Sequence, residues 1–312
     1  MANRTIRIAT RGSRLARWQA DLVERLLRER YPGNAIEQVI IRTTGDQDQR
    51  APLGSFGGVG VFTREIETAL LAGAADLAVH SLKDLPSAQP TGLVIGAVLP
   101  REDPRDALVA RTARSFAALP HGARVATSSV RRRAQLLHAR PDLAVVGIRG
   151  NVPTRVRKLA EENLDGVILA RAGLVRLGLA DVIAEVLSPE LMLPAPGQGA
   201  IAVEIRDGDE EIAAMVRSFH DEVTGRCVAA ERAVMRAFGG GCHVPLGALA
   251  TAADGVLRID AVVASPDGAV LVRRSAVGPP DRAESLGERL ARELVDAGGR
   301  GIVDAEEVRE DG

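Results

Sequence analysis

Short apolar runs and amphipathic stretches take turns along the first two-thirds of the chain. This rhythm predicts strands joined by crossover helices, and hence parallel sheets. Thr5–Thr10 reads as a strand. Ser13 can cap a helix running to about Arg30, with Leu15, Trp18, Leu22 and Leu26 on one face, stopped by Tyr31-Pro32-Gly33. Ile36–Thr43 is a second strand, 62–72 a helix, and Asp76–His80 and Leu93–Leu99 two more strands. Between them, residues 45–60 hold five glycines and predict a long mobile loop.

Pro100-Arg-Glu-Asp-Pro104 looks like a segment crossing into a second unit, where the same grammar returns. Strands are predicted at Arg124–Thr127, Leu143–Ile148 and Gly166–Ala170, with helices at Val130–Ala139 and Val152–Glu162. Pro194-Ala-Pro-Gly197 is a second crossing, and Ala200–Ile205 returns as a strand. Near residue 218 the pattern changes. A helix at Cys227–Phe238, three strands (Leu246–Thr251, Val256–Ala264, Val270–Ser275) and a helix at Arg282–Ala297 read as a small α+β unit with an antiparallel meander. The expected architecture is two α/β domains, residues 1–99 with 197–217 and residues 100–196, joined by two crossing strands, plus a third α+β domain at 218–312.

The composition narrows the function classes. With 312 residues, 46% hydrophobic and 26% charged, the chain is an ordinary globular one of two or three domains. Its net charge of −1 and few aromatics argue against a general nucleic-acid binder. No run approaches the roughly 18 to 20 apolar residues of a membrane span. The first residues lack the apolar core of a signal peptide, and two cysteines are too few for a disulfide framework, so a cytoplasmic protein is expected. Of the 40 basic residues only Lys83 and Lys158 are lysine, so a single arginine says little.

In open α/β sheets ligands bind beyond the carboxyl ends of the strands. This chain gathers its unusual polar residues there: Arg11 and Ser13; Lys83 and Asp84; Ser128 and Ser129 followed by Arg131, Arg132 and Arg133; Arg149, Gly150, Asn151 and Arg155; Arg171 and Arg176. Helix starts offer free N–H groups, and guanidinium forks match carboxylates or phosphates, so the set suggests a cleft that grips a polyanion. Each member also has a plainer reading. Ser13, Ser128 and Ser129 can be simple helix caps, the arginine run an exposed helix face, and Asp84 a capping or ion-paired residue. A carboxylate beside arginines can instead stabilise a cation or move a proton. Walker, dinucleotide and Gly-x-Ser-x-Gly signatures are absent, the five histidines lack metal-ligand spacing, and His80 reads as a packed or supporting residue. Cys242 follows three glycines on a loop, where a thiol can be incidental, a nucleophile or an attachment point; Cys227 lies on a helix and reads as a buried apolar residue.

Taken in order, seven stretches resemble the porphobilinogen deaminase (hydroxymethylbilane synthase) family. They are Arg7-Ile-Ala-Thr-Arg11 with Trp18-Gln19-Ala20, Ala75-Asp-Leu-Ala-Val-His-Ser-Leu-Lys-Asp-Leu-Pro86, Arg101-Glu-Asp-Pro-Arg-Asp-Ala107, Thr127-Ser-Ser-Val-Arg-Arg132, Arg149-Gly-Asn151, Leu193-Pro-Ala-Pro-Gly-Gln-Gly-Ala200 and Gly240-Gly-Cys-His-Val-Pro245. The resemblance implies an enzyme that condenses four porphobilinogen molecules, with loss of ammonia, into the linear tetrapyrrole hydroxymethylbilane. It implies two domains like those of periplasmic binding proteins, a monomer, no metal, and a dipyrromethane cofactor in thioether linkage to Cys242. Asp84, Lys83 and Gln198 would then be catalytic. Cys242, Lys83, Asp84, Ser129, Arg131, Arg132, Arg149 and Gly150 would hold the cofactor, and Arg11, Ser13, Arg149, Arg155 and Arg176 the substrate. Gln198 can alternatively be a hinge-loop hydrogen bond. The loop at 45–60 would act as a lid. Val59 and Ser55 stand where many members have basic residues, Arg14 replaces a frequent proline, and Arg171 occupies a position usually apolar or small. The competing expectation is a non-catalytic binder of a polycarboxylate anion, which would need neither Asp84 nor Cys242.

Overall fold

The computed structural model describes residues 4–47, 60, 63–240 and 244–303. The chain divides into two compact units, residues 1–102 with 200–225 and residues 103–199 with 226–312. The first holds one five-stranded sheet. The second holds another five-stranded sheet and a three-stranded one.

In the first unit, β1 (Thr5–Arg11), α1 (Arg14–Arg30), β2 (Ala35–Ile41), the short α2 (Thr44–Gln47), α3 (Arg64–Leu71), β3 (Leu77–Ser81) and β4 (Leu93–Val98) follow in order. In the second come β5 (Asp106–Ala110), β6 (Arg124–Ala126), α4 (Val130–Ala139), β7 (Ala144–Val146), α5 (Val152–Glu161), β8 (Gly166–Ala170), α6 (Arg171–Arg176) and β9 (Glu185–Val186). The chain returns to the first unit as β10 (Ile201–Arg206) and α7 (Glu210–Arg217). It closes with α8 (Glu222–Ala237), the meander β11 (Leu246–Ala253), β12 (Val256–Ala264) and β13 (Leu271–Gly278), and α9 (Ala283–Leu294).

The two large sheets share one topology. Their orders are β2-β1-β3-β10-β4 and β7-β6-β8-β5-β9. The first three strands of each run parallel, while the fourth, β10 or β5, is antiparallel to both neighbours. The sheets are therefore mixed, not parallel as the alternating pattern predicts. The reversed strand in each case directly follows a crossing segment, so it enters from the edge where its neighbours end. Hence Asp106, first in β5, pairs with Ala170, last in β8, and Ile201 pairs with Ser81. No strand is expected from the sequence at Asp106–Ala110, because a charged residue heads the run just after the Pro104 crossing.

Both sheets are covered on two faces. In the first, Ile8, Leu77, Val79 and Val203 pack against Val23 and Leu27 of α1 and Ile212 and Val216 of α7, while Ala9 and Ala78 meet Ile66 and Leu70 of α3. The face of α1 differs from expectation by about one residue. Ala16, Ala20, Val23 and Leu27 are buried, whereas Trp18 is exposed and Leu15, Leu22 and Leu26 are only half-covered. Small alanines let the helix lie close to the sheet, and the larger side chains flank the seam. The three-stranded sheet has its own core, built with Val234 of α8, Phe238 just beyond its end, and Leu286, Leu290 and Leu294 of α9.

A fully buried carboxylate stitches this last layer to the second crossing. Glu231 of α8 accepts from the backbone N–H of Ala250 at 2.8 Å with one oxygen and from that of Gly197 at 2.7 Å with the other. Glu231→Gln would turn an amide N–H₂ toward one of these donors. The expected cost is about 1–3 kcal/mol, read as a lower urea midpoint at unchanged slope. An unchanged midpoint would contradict the bridge.

Candidate active site

In the first unit the edge where β1 and β3 end forms a cavity of about 60 Å³, lined by Arg11, Ser13, Gln19, Thr63, His80, Ser81 and Asp84 among others. Each arrives for a local reason. Arg11 is the last residue of β1, and Ser13 caps α1, its hydroxyl accepting from the Ala16 N–H at 3.3 Å. Ser81 ends β3, and a single 3₁₀ turn, Leu82–Asp84, then brings Lys83 and Asp84 to the same edge. The buried Leu82 anchors that turn, with its N–H on the Ala200 carbonyl at 3.0 Å. Gln19 reaches from α1 to Ser81, amide nitrogen to hydroxyl at 2.8 Å. The cavity thus unites three residues expected from the sequence, Arg11, Ser13 and Asp84, with Gln19 and His80, to which the sequence assigned no ligand role. Gln19 and His80 carried a weak signal: both stand inside the stretches that bear the family resemblance.

In the second unit the equivalent edge is tied together by hydroxyls. Ser128 Oγ donates to the Ile148 carbonyl and accepts its N–H at 3.0 Å, so the loop after β6 is held against the one after β7. Ser129 caps α4, accepting from the Arg132 N–H at 3.4 Å, and Asn151 caps α5, accepting from the Thr154 N–H at 3.0 Å. Gly150 between them has φ +112°, and a Cβ there would come within 2.6 Å of Thr154, so only glycine fits. Arg149 is half-buried beside it. Arg155 Nε donates to the Gly150 carbonyl at 2.7 Å, and Arg176 Nη2 to the Gly199 carbonyl at 2.6 Å. Arg171 lies 3.6 Å from Asp103, which Arg105 also grips.

The centre of this unit is Asp106, which sequence reasoning did not single out. It has no exposed surface. Its Oδ1 accepts from Arg132 Nη2 at 2.7 Å and from Gln198 Nε2 at 2.8 Å, and its Oδ2 from Arg131 Nη1 at 2.8 Å. The arginine run is therefore not an exposed helix face: Arg131 and Arg132 are buried, and only Arg133 is at the surface. Gln198, 1% exposed, also donates to the Pro104 carbonyl at 2.7 Å, so its amide ties one crossing to the other. Arg131 and Gln135 both reach the Leu193 carbonyl, at 2.6 and 3.1 Å. Burial alone would raise the Asp106 carboxyl. The Arg131 and Arg132 guanidiniums overcome that and hold it far below the ordinary carboxylate range. One carboxylate against two guanidiniums leaves this cluster with a net positive charge.

Cys242, Val59 and Ser55, and nearly all of the expected lid, lie outside the described residues. Cys227 is buried in the core of the three-stranded sheet. Among the described residues no three His, Cys, Asp or Glu side chains come together as a metal site, and no helix is long and apolar enough to cross a membrane.

Two mixed α/β sheets, each presenting hydroxyls and guanidiniums at its ligand edge and one of them a carboxylate as well, define a class: an enzyme that handles polyanionic substrates with acid–base chemistry. Comparison with known proteins gives the family. Residues 6–214 match the porphobilinogen deaminase dipyrromethane cofactor binding domain, and residues 225–296 the porphobilinogen deaminase C-terminal domain. Relatives named porphobilinogen deaminase include those of Syntrophotalea carbinolica, 50% identical over 98% of this chain and 97% of the relative, and Chromobacterium violaceum, 48% identical over 96% of each. Among solved structures, a nutrient binding protein from Burkholderia cenocepacia bound to methionine is 15% identical, with 68% of this chain and 89% of that chain covered and a TM-score of 0.43. The chain belongs to the porphobilinogen deaminase family.

Asp106→Asn would leave two buried guanidiniums without their counter-charge, at an expected cost of about 3–5 kcal/mol near neutral pH. Because the folded carboxyl titrates below its unfolded value, its contribution is complete above about pH 4 and fades as pH falls below that. Chemical unfolding of both proteins from pH 7 to pH 3 should show the gap closing at the acid end. A gap that stays constant would contradict the ion-pair assignment.

Proposed function

We propose that this chain condenses four molecules of porphobilinogen head-to-tail into hydroxymethylbilane, releasing ammonia at each step. It is then a transferase of tetrapyrrole synthesis, working as a monomer in the cytoplasm. The observation that carries the reading is the shared cavity of Arg11, Ser13 and Asp84, a carboxylate among carboxylate-binding donors. We also propose three domains, residues 1–99 with 197–217, 100–196 and 218–312; the separate core of the meander supports the last.

Every added pyrrole brings an acetate and a propionate, so the site must accept negative charge repeatedly. Guanidinium forks do this best, and a desolvated carboxylate needs such partners. Arg11 and Ser13 in the first unit, and Arg149, Arg155 and Arg176 in the second, are the donors assigned to substrate and growing chain. The donor chemistry also suits a dipyrromethane, itself a polycarboxylate. Ser129, Arg131, Arg132, Arg149 and Gly150 would hold it, with Lys83 and Asp84 beside its pyrroles, and Cys242 would anchor it. When bound, it supplies the primer on which the chain is extended. The Asp106 cluster keeps Arg131 and Arg132 folded inward and net positive, so they can attract a ligand carboxylate without leaving their internal partner.

Asp84 carries the chemistry. When ammonia leaves porphobilinogen, the C–N electron pair goes with the nitrogen and a cation remains on the pyrrole. A carboxylate facing that charge lowers its energy. After the new C–C bond forms, the α-carbon proton must depart, and the same carboxylate can receive it. Gln198 is best placed to act indirectly, by fixing the two crossings to each other at Asp106.

The test is turnover with porphobilinogen, following ammonia and hydroxymethylbilane together. The parent should release four ammonia molecules per product. Asp84→Asn should keep its fold and lose activity by about 10²–10⁴-fold. Undiminished product formation by Asp84→Asn would overturn the role given to that residue.

A further inference from the structure

The face of the first sheet that packs on α3 contains an oddity. Its core is apolar, with Ala9, Ala78 and Leu93 from the strands and Ile66 and Leu70 from the helix. Yet three ionisable side chains are buried on it: His80 of β3, Glu204 of β10 and Glu67 of α3, exposed by 5%, 0% and 7%. The pairing of β3 with β10 sets Ala202 opposite His80 and Glu204 opposite Ala78, so the imidazole and the carboxylate are diagonal neighbours on one face. His80 Nε2 lies 3.1 Å from Glu204 Oε2, and Gln89 Nε2 donates to Glu204 Oε1 at 2.7 Å. Apolar residues would fill this space at lower desolvation cost. The same imidazole lines the cavity that holds Asp84.

Resting on the reading of that cavity as the condensation site, we propose that Glu204 and His80 form a carboxylate–imidazole dyad that serves Asp84. Glu204 is the positioning residue, and His80 takes up the proton Asp84 receives. Glu204 accepts from Gln89; as a carboxylate it has only acceptors to offer His80 as well, which assigns the hydrogen to Nε2 and leaves Nδ1 to take up a proton. A carboxylate on one ring nitrogen fixes the orientation and the tautomer of the ring. The atoms balance. Each condensation removes one α-carbon proton and one ammonia, and the ammonia leaves as ammonium. Asp84 receives the carbon proton and has to be ionised again before the next cation forms. His80 accepts that proton through the shared cavity, whose volume admits bridging water, and gives it to the ammonia that leaves in the next condensation. Glu67 is the third charge in this group. Burial and the neighbouring Glu204 push its carboxyl up, while Thr63, His80 and Arg64 pull it down. The groups facing His80 are thus Glu204, Glu67 and Gln89 on the inner side and Asp84 and Arg11 across the cavity.

Glu204→Gln and His80→Asn, each loaded with cofactor, would be assayed for kcat and KM with porphobilinogen between pH 5.5 and 9, with thermal unfolding and intact mass in parallel. Removing the Glu204 charge frees the His80 ring from its fixed orientation and tautomer. Glu204→Gln should therefore have kcat about 10-fold lower, with KM within about 3-fold and the bound cofactor mass unchanged. His80→Asn should lower kcat at least as far, again with KM little changed. A kcat profile for Glu204→Gln superimposable on the parent's would overturn the proposal, even if stability falls, because it would leave the dyad a purely structural role. Asp84→Asn separates the two readings. If it is inactive while Glu204→Gln matches the parent, only the dyad fails; if it is active, the condensation site itself has been misplaced.

Discussion

A carboxylate removed from water must be met by donors at its lone pairs, and in this protein that requirement falls on Asp106. Arg131 and Arg132 come from α4, Gln198 from the second crossing, and Asp106 itself from the strand that follows the first. The buried charge therefore fixes three parts of the chain at once. It also sets the electrostatics of the ligand edge, since two guanidiniums around one carboxylate leave a positive surplus. Leu193, held by Arg131 and Gln135, and Gly197, held by Glu231, extend the same frame into the third sheet's layer.

The topology explains how that cluster comes to lie where ligands bind. Each large sheet reverses its fourth strand, and each reversed strand follows a crossing. A strand entering against its neighbours starts where they finish. Asp106 and Ile201 thus sit at the carboxyl edge from their first residue, together with the segments that lead into them. Parallel strands throughout would have carried those segments to the opposite edge. The two sheets share this plan without a visible repeat in sequence, and in both a serine caps the helix after the equivalent strand, Ser13 after β1 and Ser129 after β6.

Much of this is legible in the sequence, and the parts that are not have physical reasons. Strand–helix alternation is a local signal, so β1, α1, β3, α4, α5 and β8 are readable to within a few residues. Strand direction is not local, which is why the reversal of β5 and β10 escapes the pattern. Asp106 looks like an ordinary acidic residue beside the arginines of a crossing. Its importance depends on donors that are 25 and more residues away in sequence. The arginine run reads equally as an exposed face, since nothing local shows that Arg131 and Arg132 turn inward while Arg133 turns out. Asp84 and Ser13 are legible because they stand directly at strand ends, where the general rule for α/β sheets places ligands. His80 and Glu204 are hidden by their surroundings, two polar residues in runs that otherwise read as buried strands.

If the tetrapyrrole is built on a covalent primer, that primer must be found on the purified chain. The most direct test is the intact mass of the purified chain, followed by peptide mapping across 239–245. An excess mass equal to a dipyrromethane is expected on the peptide containing Cys242, with the Cys227 peptide unmodified. A Cys242 peptide that stays unmodified even after incubation with porphobilinogen would contradict it.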